Sequence, residues 1–256
     1  MLSKLAIAAV AAAALALAMG GLASAQSSLR QTDNTQFTTK RAHSPTGVVV
    51  SIDYFNPQDP AAKPPSVRRI VTRLQPGATI DPSVVAQCDE PRALAGACPP
   101  DSRVGSGTIT VATGFPGPLA ILTEDTTLFA ANHGIIFLTQ DRATHLRMAA
   151  TATVQGNTMT APVPPLPGTL PDGGALREVR LNINAISKGS GASRRSLVTT
   201  PATCPRSRRW TNLGSFTYAD GVTQTVSSSS PCTRPAQARP RHRPAPRATP
   251  RPRFTG

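Results

Sequence analysis

Along most of the chain apolar side chains recur at every second residue, and almost nowhere at every third or fourth. Side chains of an extended strand point alternately to opposite faces, so this period marks half-buried strands with one apolar and one polar face. Three stretches carry it most clearly. In 47–55, Val48, Val50, Ile52 and Tyr54 share a face, with Ser51 and Asp53 opposite. In 176–186, Val179, Leu181 and Ile183 alternate with Arg180, Asn182 and Asn184. In 145–154, Met148, Ala150, Ala152 and Val154 alternate with Arg147, Thr151 and Thr153. Further strands are predicted over 67–74, 104–113, 119–123, 127–130 and 134–140. Turn-forming pairs separate them, among them Asn56-Pro57, Pro76-Gly77, Pro116-Gly117 and Gly173-Gly174.

Near the end of this patterned region, 215–218 and 222–227 flank Ala219-Asp220-Gly221. A three-residue loop with Gly221 in the left-handed region makes a hairpin with a bulge, Tyr218 facing Val222 and Phe216 on the same side as Tyr218. Trp210, just upstream, is placed to cover the core. Short strands joined by Pro- and Gly-rich turns predict an all-β fold, an antiparallel β-sandwich of jelly-roll or immunoglobulin-like kind. One such domain is expected over 37–233, with 187–195 (SKGSGASRR) the one candidate for an internal seam. Residues 26–36 (QSSLRQTDNTQ) are polar and expected to be a flexible lead-in.

Composition sharpens this picture. The 26 prolines argue against long helices. Residues 1–25 read as a secretory signal: Lys4 gives the positive start, 5–19 is unbroken apolar, and Ala23-Ser24-Ala25 is the small-residue cleavage pattern. The mature chain is then expected to begin at Gln26, and no later apolar run is long enough to span a bilayer. An even number of cysteines in an exported chain reads as disulfides. Cys88, Cys98, Cys204 and Cys232 allow three pairings; Cys88–Cys98 with Cys204–Cys232 is preferred because each pair brackets a compact local unit. Without a CxxC, and with His43, His133, His145 and His242 scattered, no zinc site and no cofactor are expected.

Two segments have a distinctive form. The run from Cys88 to Gly107 reads C-x9-C-P-P-D-S-R-V-G-S-G, and that from Thr200 to Cys232 reads T-P-A-T-C-P … W … F-T-Y-A-D-G … S-S-P-C. Together they resemble secreted, β-rich proteins of unknown function from GC-rich actinobacteria. The resemblance implies an exported β-sandwich with paired cysteines. It implies no activity and carries over no catalytic residue.

Motifs for chemistry are sparse. Gly105-Ser106-Gly107 and Gly189-Ser190-Gly191 lack the G-x-S-x-G spacing of a nucleophile elbow, and no metalloprotease, P-loop or dinucleotide motif occurs. The glycines at 105 and 107 are expected to let the chain pass close to the Cys88–Cys98 loop. Asp141 stands four residues before His145, a spacing at which a carboxylate can orient an imidazole base; a secreted hydrolase centred there is the alternative function. Adjacent Glu124 and Asp125 suggest a calcium-stabilised adhesion role. Only ten aromatic residues exist and most fall in or beside strands, which weakens a sugar-binding platform.

The strongest compositional signal is the tail, 234–256. It holds Arg234, Arg239, Arg241, Arg243, Arg247, Arg251 and Arg253, six prolines and no acid, and so supplies half of the formal net charge of +14. Such a segment has too little apolar surface to fold and is expected to be disordered and extended. Outside a cell its counterions are anionic wall polymers or lipid headgroups, held by salt-sensitive attraction. Export and a lone aromatic, Phe254, argue against nucleic acid. The sequence thus points to a secreted or envelope-associated binding or structural protein.

Overall fold

The computed structural model describes residues 28–170 and 172–233. The expected secretory signal, 1–25, and the arginine-rich tail, 234–256, lie outside them. The elements are β1 (Gln31–Phe37), β2 (Val48–Tyr54), β3 (Val67–Arg73), β4 (Thr79–Ile80), α1 (Glu90–Leu94), β5 (Arg103–Ala112), β6 (Ile121–Ala131), β7 (Gly134–Asp141), β8 (Arg147–Gln155), β9 (Thr158–Pro162), β10 (Ala175–Ile183), β11 (Ser187–Lys188), β12 (Arg195–Ser196), β13 (Val198–Thr199), β14 (Arg209–Tyr218) and β15 (Thr223–Pro231). Among the described residues, eleven strands form one antiparallel sheet in the order β1-β2-β10-β5-β6-β7-β8-β9-β3-β14-β15. The all-β, antiparallel expectation is met. The two faces that pack on each other belong to one coiled sheet, within which β5 to β9 run as an up-and-down meander.

The period-2 reading identifies the inner faces. Val48, Val50, Ile52 and Tyr54 of β2 are buried, as are Val179, Leu181 and Ile183 of β10. Aromatic rings tie the halves together across the interior. Phe37 meets Trp210 edge-on at 5.5 Å, and Tyr54 meets Phe216 at 5.8 Å. Such pairs add about 1 kcal/mol beyond the area they bury. The last hairpin has the predicted register: the Tyr218 amide donates to the Val222 carbonyl at 2.9 Å, and Gly221 has φ +81°. Trp210 is fully buried, and its indole N–H donates to the Thr203 carbonyl at 2.8 Å.

Both preferred disulfides form, Cys88–Cys98 and Cys204–Cys232. The second closes the open end of the β14–β15 hairpin, where the Cys232 amide donates to the Arg208 carbonyl. Restricting the unfolded chain, each contributes about 3 kcal/mol. The Cys88–Cys98 loop holds α1, capped by the Asp89 carboxylate, which accepts from the Arg92 amide at 2.9 Å. Ala93 of α1 packs with Cys88, Ala131 and Ile136 in a small second core. The helix thereby covers the outer face of β7 and β8, where the Thr151 hydroxyl donates to Glu90 at 2.5 Å, and neighbouring Ile135 and Ile136 are both buried although they point in opposite directions.

Three expectations are corrected. Residues 31–36 are not a flexible lead-in but most of β1, paired residue for residue with β2. Their inner positions Gln31, Asp33 and Thr35 are polar: the Tyr218 hydroxyl of β14 donates to Gln31 Oε1, the Thr35 hydroxyl donates to Asp33 Oδ1 at 2.7 Å within β1, and the Thr35 backbone carbonyl accepts from Asn212 on β14 and Ser228 on β15. The stretch 187–195 is no seam. It contains β11 and enters β12, a small hairpin, and the chain beyond it returns as β14 to pair with β3 in the same sheet. Gly105 and Gly107 serve close approach to β10 rather than to the disulfide loop: a Cβ on either would run into the Asn182 or Arg180 carbonyl.

Candidate functional site

The sheet is not packed solid. A cavity of about 110 Å³ lies between its halves. Its wall comes from strands far apart in sequence, including Val50 and Ile52 of β2, Ile70 of β3, Ile109 of β5, Phe137 of β7 and Leu181 of β10. Small residues at inner positions leave the room. Ala150 and Ala152 of β8 and Ala161 of β9 line it where larger side chains would meet in the middle. The two methionines among the described residues, Met148 and Met159, both line it as well. Methionine is unbranched and polarisable, so a wall built with it adapts to the shape of a guest.

Among the described residues, one ionisable group enters this chamber. β6 places Leu122, Glu124, Thr126 and Leu128 toward the interior and Asp125 outward, where Arg142 holds Asp125 at 2.7 Å. Glu124 is only 5% exposed. Burial raises its pKa above the ordinary value, the Thr139 hydroxyl lowers it, and the Asp141 charge raises it further. Two residues along the same face, the Thr126 hydroxyl is buried with no hydrogen-bond partner among the described residues. A titratable group with a shifted pKa in an apolar cavity is the usual signature of a binding or reacting site.

The candidates taken from sequence fall elsewhere. Asp141 caps the β7–β8 turn: its Oδ1 accepts from the Ala143 amide, the Thr144 amide and the Thr144 hydroxyl at 3.1, 2.6 and 2.8 Å. These bonds, the Thr144 amide first, hold its pKa below the usual carboxylate range. His145 is exposed in that turn with φ +58°, and its ring meets the Gln140 amide at 3.5 Å. Asp141 and His145 do not converge with a nucleophile in a cleft, and the hydrolase reading loses its geometry. Glu124 and Asp125 lie on opposite faces of one strand and cannot share an ion. All three described histidines, His43, His133 and His145, occupy turns with positive φ. No cluster of three or more His, Cys, Asp or Glu suited to a metal ion occurs among the described residues.

A larger polar cleft of about 1020 Å³ lies between the β11–β12 hairpin and the 39–45 segment. Its cations are partly committed to structure: Arg195 pairs with Asp81 at 2.7 Å, and Arg194 donates to the Ser187 hydroxyl at 3.0 Å. The tail arginines, Arg234 to Arg253, lie outside the described residues. Among the described residues no helix is long and apolar enough to cross a membrane. Comparison with protein-family models, with curated proteins and with solved structures finds no match.

Proposed function

We propose that this chain is an exported, disulfide-bonded binding protein that holds a small apolar molecule between the halves of its sheet. The observation that carries the reading is the partly open cavity between the halves of the sheet, apolar over nearly its whole wall, with a single carboxylate among the described residues entering it. Natural cores fill such space, because a void forfeits contacts on every side. A cavity of roughly 150 Å³ lined by Leu, Ile and Phe takes up benzene, which sets the scale of guest expected here. Calorimetric titration of the oxidised protein with 1-hexanol tests the reading. Saturable binding is expected, and Ala150→Leu, which fills the chamber, abolishes it while the protein stays folded. Absence of saturable binding of both 1-hexanol and hexane in the parent protein would refute it.

Export is supported by the signal-like 1–25 segment and by two disulfides in a chain with no unpaired described cysteine. The seven arginines of 234–256 support loose retention on anionic wall polymers or lipid headgroups, by additive attraction that salt screens. Deleting 234–256 is expected to shift the protein from the cell surface to the medium, as is a moderate salt wash of the full chain. Identical partitioning of the two forms would rule retention by the tail out.

A further inference from the structure

Glu124 is the one charged residue among those lining the cavity, and Thr72 and Thr139 are the other polar side chains there. Its surroundings make it an acceptor without a resident cation. Across the sheet its neighbours are Ile109 on β5 and Asp141 on β7. The facing strands contribute Met148 of β8, Met159 of β9, and Ile70 and Thr72 of β3 to the same cavity. Among the described residues no Lys or Arg lines the chamber. Arg142, just beyond the end of β7, is spent on Asp125 outside. Asp141, kept ionised by the Thr144 amide and hydroxyl, adds negative potential at this end.

This arrangement has a chemical preference. A carboxyl in an apolar chamber gains from a hydrogen-bond donor, and charge-assisted bonds are the stronger kind. An incoming carboxylate meets like charge in a poorly solvated site and is rejected. We infer that Glu124, supported by Thr139, anchors the head group of the guest, so that the cavity selects a small amphiphile carrying an alcohol or amine over the matching carboxylic acid. The inference rests on the cavity being a binding site.

Four probes of one chain length separate the two ideas: hexane, 1-hexanol, hexylamine and hexanoate, each titrated into the oxidised protein and into Glu124→Gln at neutral pH. In the parent protein 1-hexanol and hexylamine are expected to bind about tenfold or more tighter than hexane, and hexanoate weaker than hexane. Glu124→Gln is expected to erase the hexylamine preference, admit hexanoate and leave hexane unchanged. Thr139→Val, which keeps the shape of the wall, is expected to narrow the preference by a smaller factor. If hexane binds but the alcohol and amine bind no tighter, or if Glu124→Gln changes no ratio, the anchor is overturned while the cavity reading stands. If none of the four binds the parent protein, the cavity reading falls and the anchor with it.

Discussion

The Ser228 hydroxyl donates to the Thr35 carbonyl at 3.0 Å, across a junction that no strand ladder bridges. β1 and β15 are the two ends of the eleven-strand sheet and lie against each other without pairing their backbones. Side chains stand in for the missing ladder. Ser230 accepts from the Phe37 amide at 2.9 Å, and Asn212 donates to the Thr35 carbonyl at 2.8 Å. Gln224 accepts from the Arg30 amide at 3.0 Å. This gives the run of serines at 227–230 a structural meaning. Alternate hydroxyls, Ser228 and Ser230, face the seam and are buried, whereas Ser229 faces out and meets Arg209.

The seam predicts specific losses. Ser230→Ala is expected to destabilise the fold by about 1 to 2 kcal/mol, because it takes the side-chain acceptor from the buried Phe37 amide, and Ser228→Ala by less, because Asn212 still donates to the Thr35 carbonyl. Asn212 also accepts from the Gln75 amide, so Asn212→Leu is expected to cost more than either. Urea unfolding midpoints at fixed pH measure all three. Values within error of the parent protein would mean that the junction is held by apolar packing alone.

The pH dependence of stability should carry the mark of Glu124. Burial raises its pKa in the folded chain, so the folded state holds the proton more tightly than the unfolded one. Its contribution is complete below the ordinary Glu value of 4.5 and is lost as pH rises through the raised folded pKa. Glu124→Gln, neutral throughout, is expected to match the parent protein near about pH 3 and exceed its stability near about pH 7. Denaturant midpoints across that range give the test, and parallel curves for the two proteins would contradict it.

Asp141 behaves in the opposite sense. Its pKa is lowered by the Thr144 amide first, so the stability it adds is present above the ordinary Asp value of 3.8 and is lost as pH falls through the folded pKa. Asp141→Ala, which uncaps the β7–β8 turn, is expected to cost about 1 kcal/mol. His145→Ala, at an exposed turn position, is expected to stay within about 0.5 kcal/mol of the parent protein. Thermal melts of the two variants compare the roles. A large loss for His145→Ala would show that the imidazole has structural work unaccounted for here.

Replacing Cys204 and Cys232 together by alanine is expected to remove about 3 kcal/mol by freeing the unfolded chain. The hairpin between them is otherwise anchored by Trp210, so the variant is expected to keep its near-ultraviolet dichroism in mild buffer and lose it at lower denaturant. An unchanged midpoint would place the stabilising role of the bridge in doubt.

These elements differ in how plainly the sequence announces them. β2 and β10 are legible because their inner faces are apolar and their outer faces polar, whereas only 215–218 of β14 is, since Asn212 interrupts its inner face. β1 is not, since Gln31, Asp33 and Thr35 face inward as hydrogen-bonding groups, and a pattern built on apolarity passes over them. α1 is too short for a helical period, although Asp89 followed by Pro91 in the first turn is a start signal that marks it. In β6 the pair Glu124-Asp125 splits one long strand into two apparent short ones. The alternation Leu122, Glu124, Thr126, Leu128 was the available clue that Glu124 points in. The cavity itself is invisible in sequence, because it is the sum of small residues on strands that meet only after the sheet has coiled. The inner face of β8, by contrast, could be read directly, and Met148, Ala150 and Ala152 from that face line the chamber.

The account stands on an interior that admits an apolar guest. Xenon tests this most directly, since it carries no head group and senses only apolar space. With methyl-labelled methionine, the Met148 and Met159 resonances are expected to shift together and saturate as xenon pressure rises, with Ala150→Leu suppressing both shifts. Resonances that stay fixed, or that drift linearly without saturation in parent and variant alike, would contradict it.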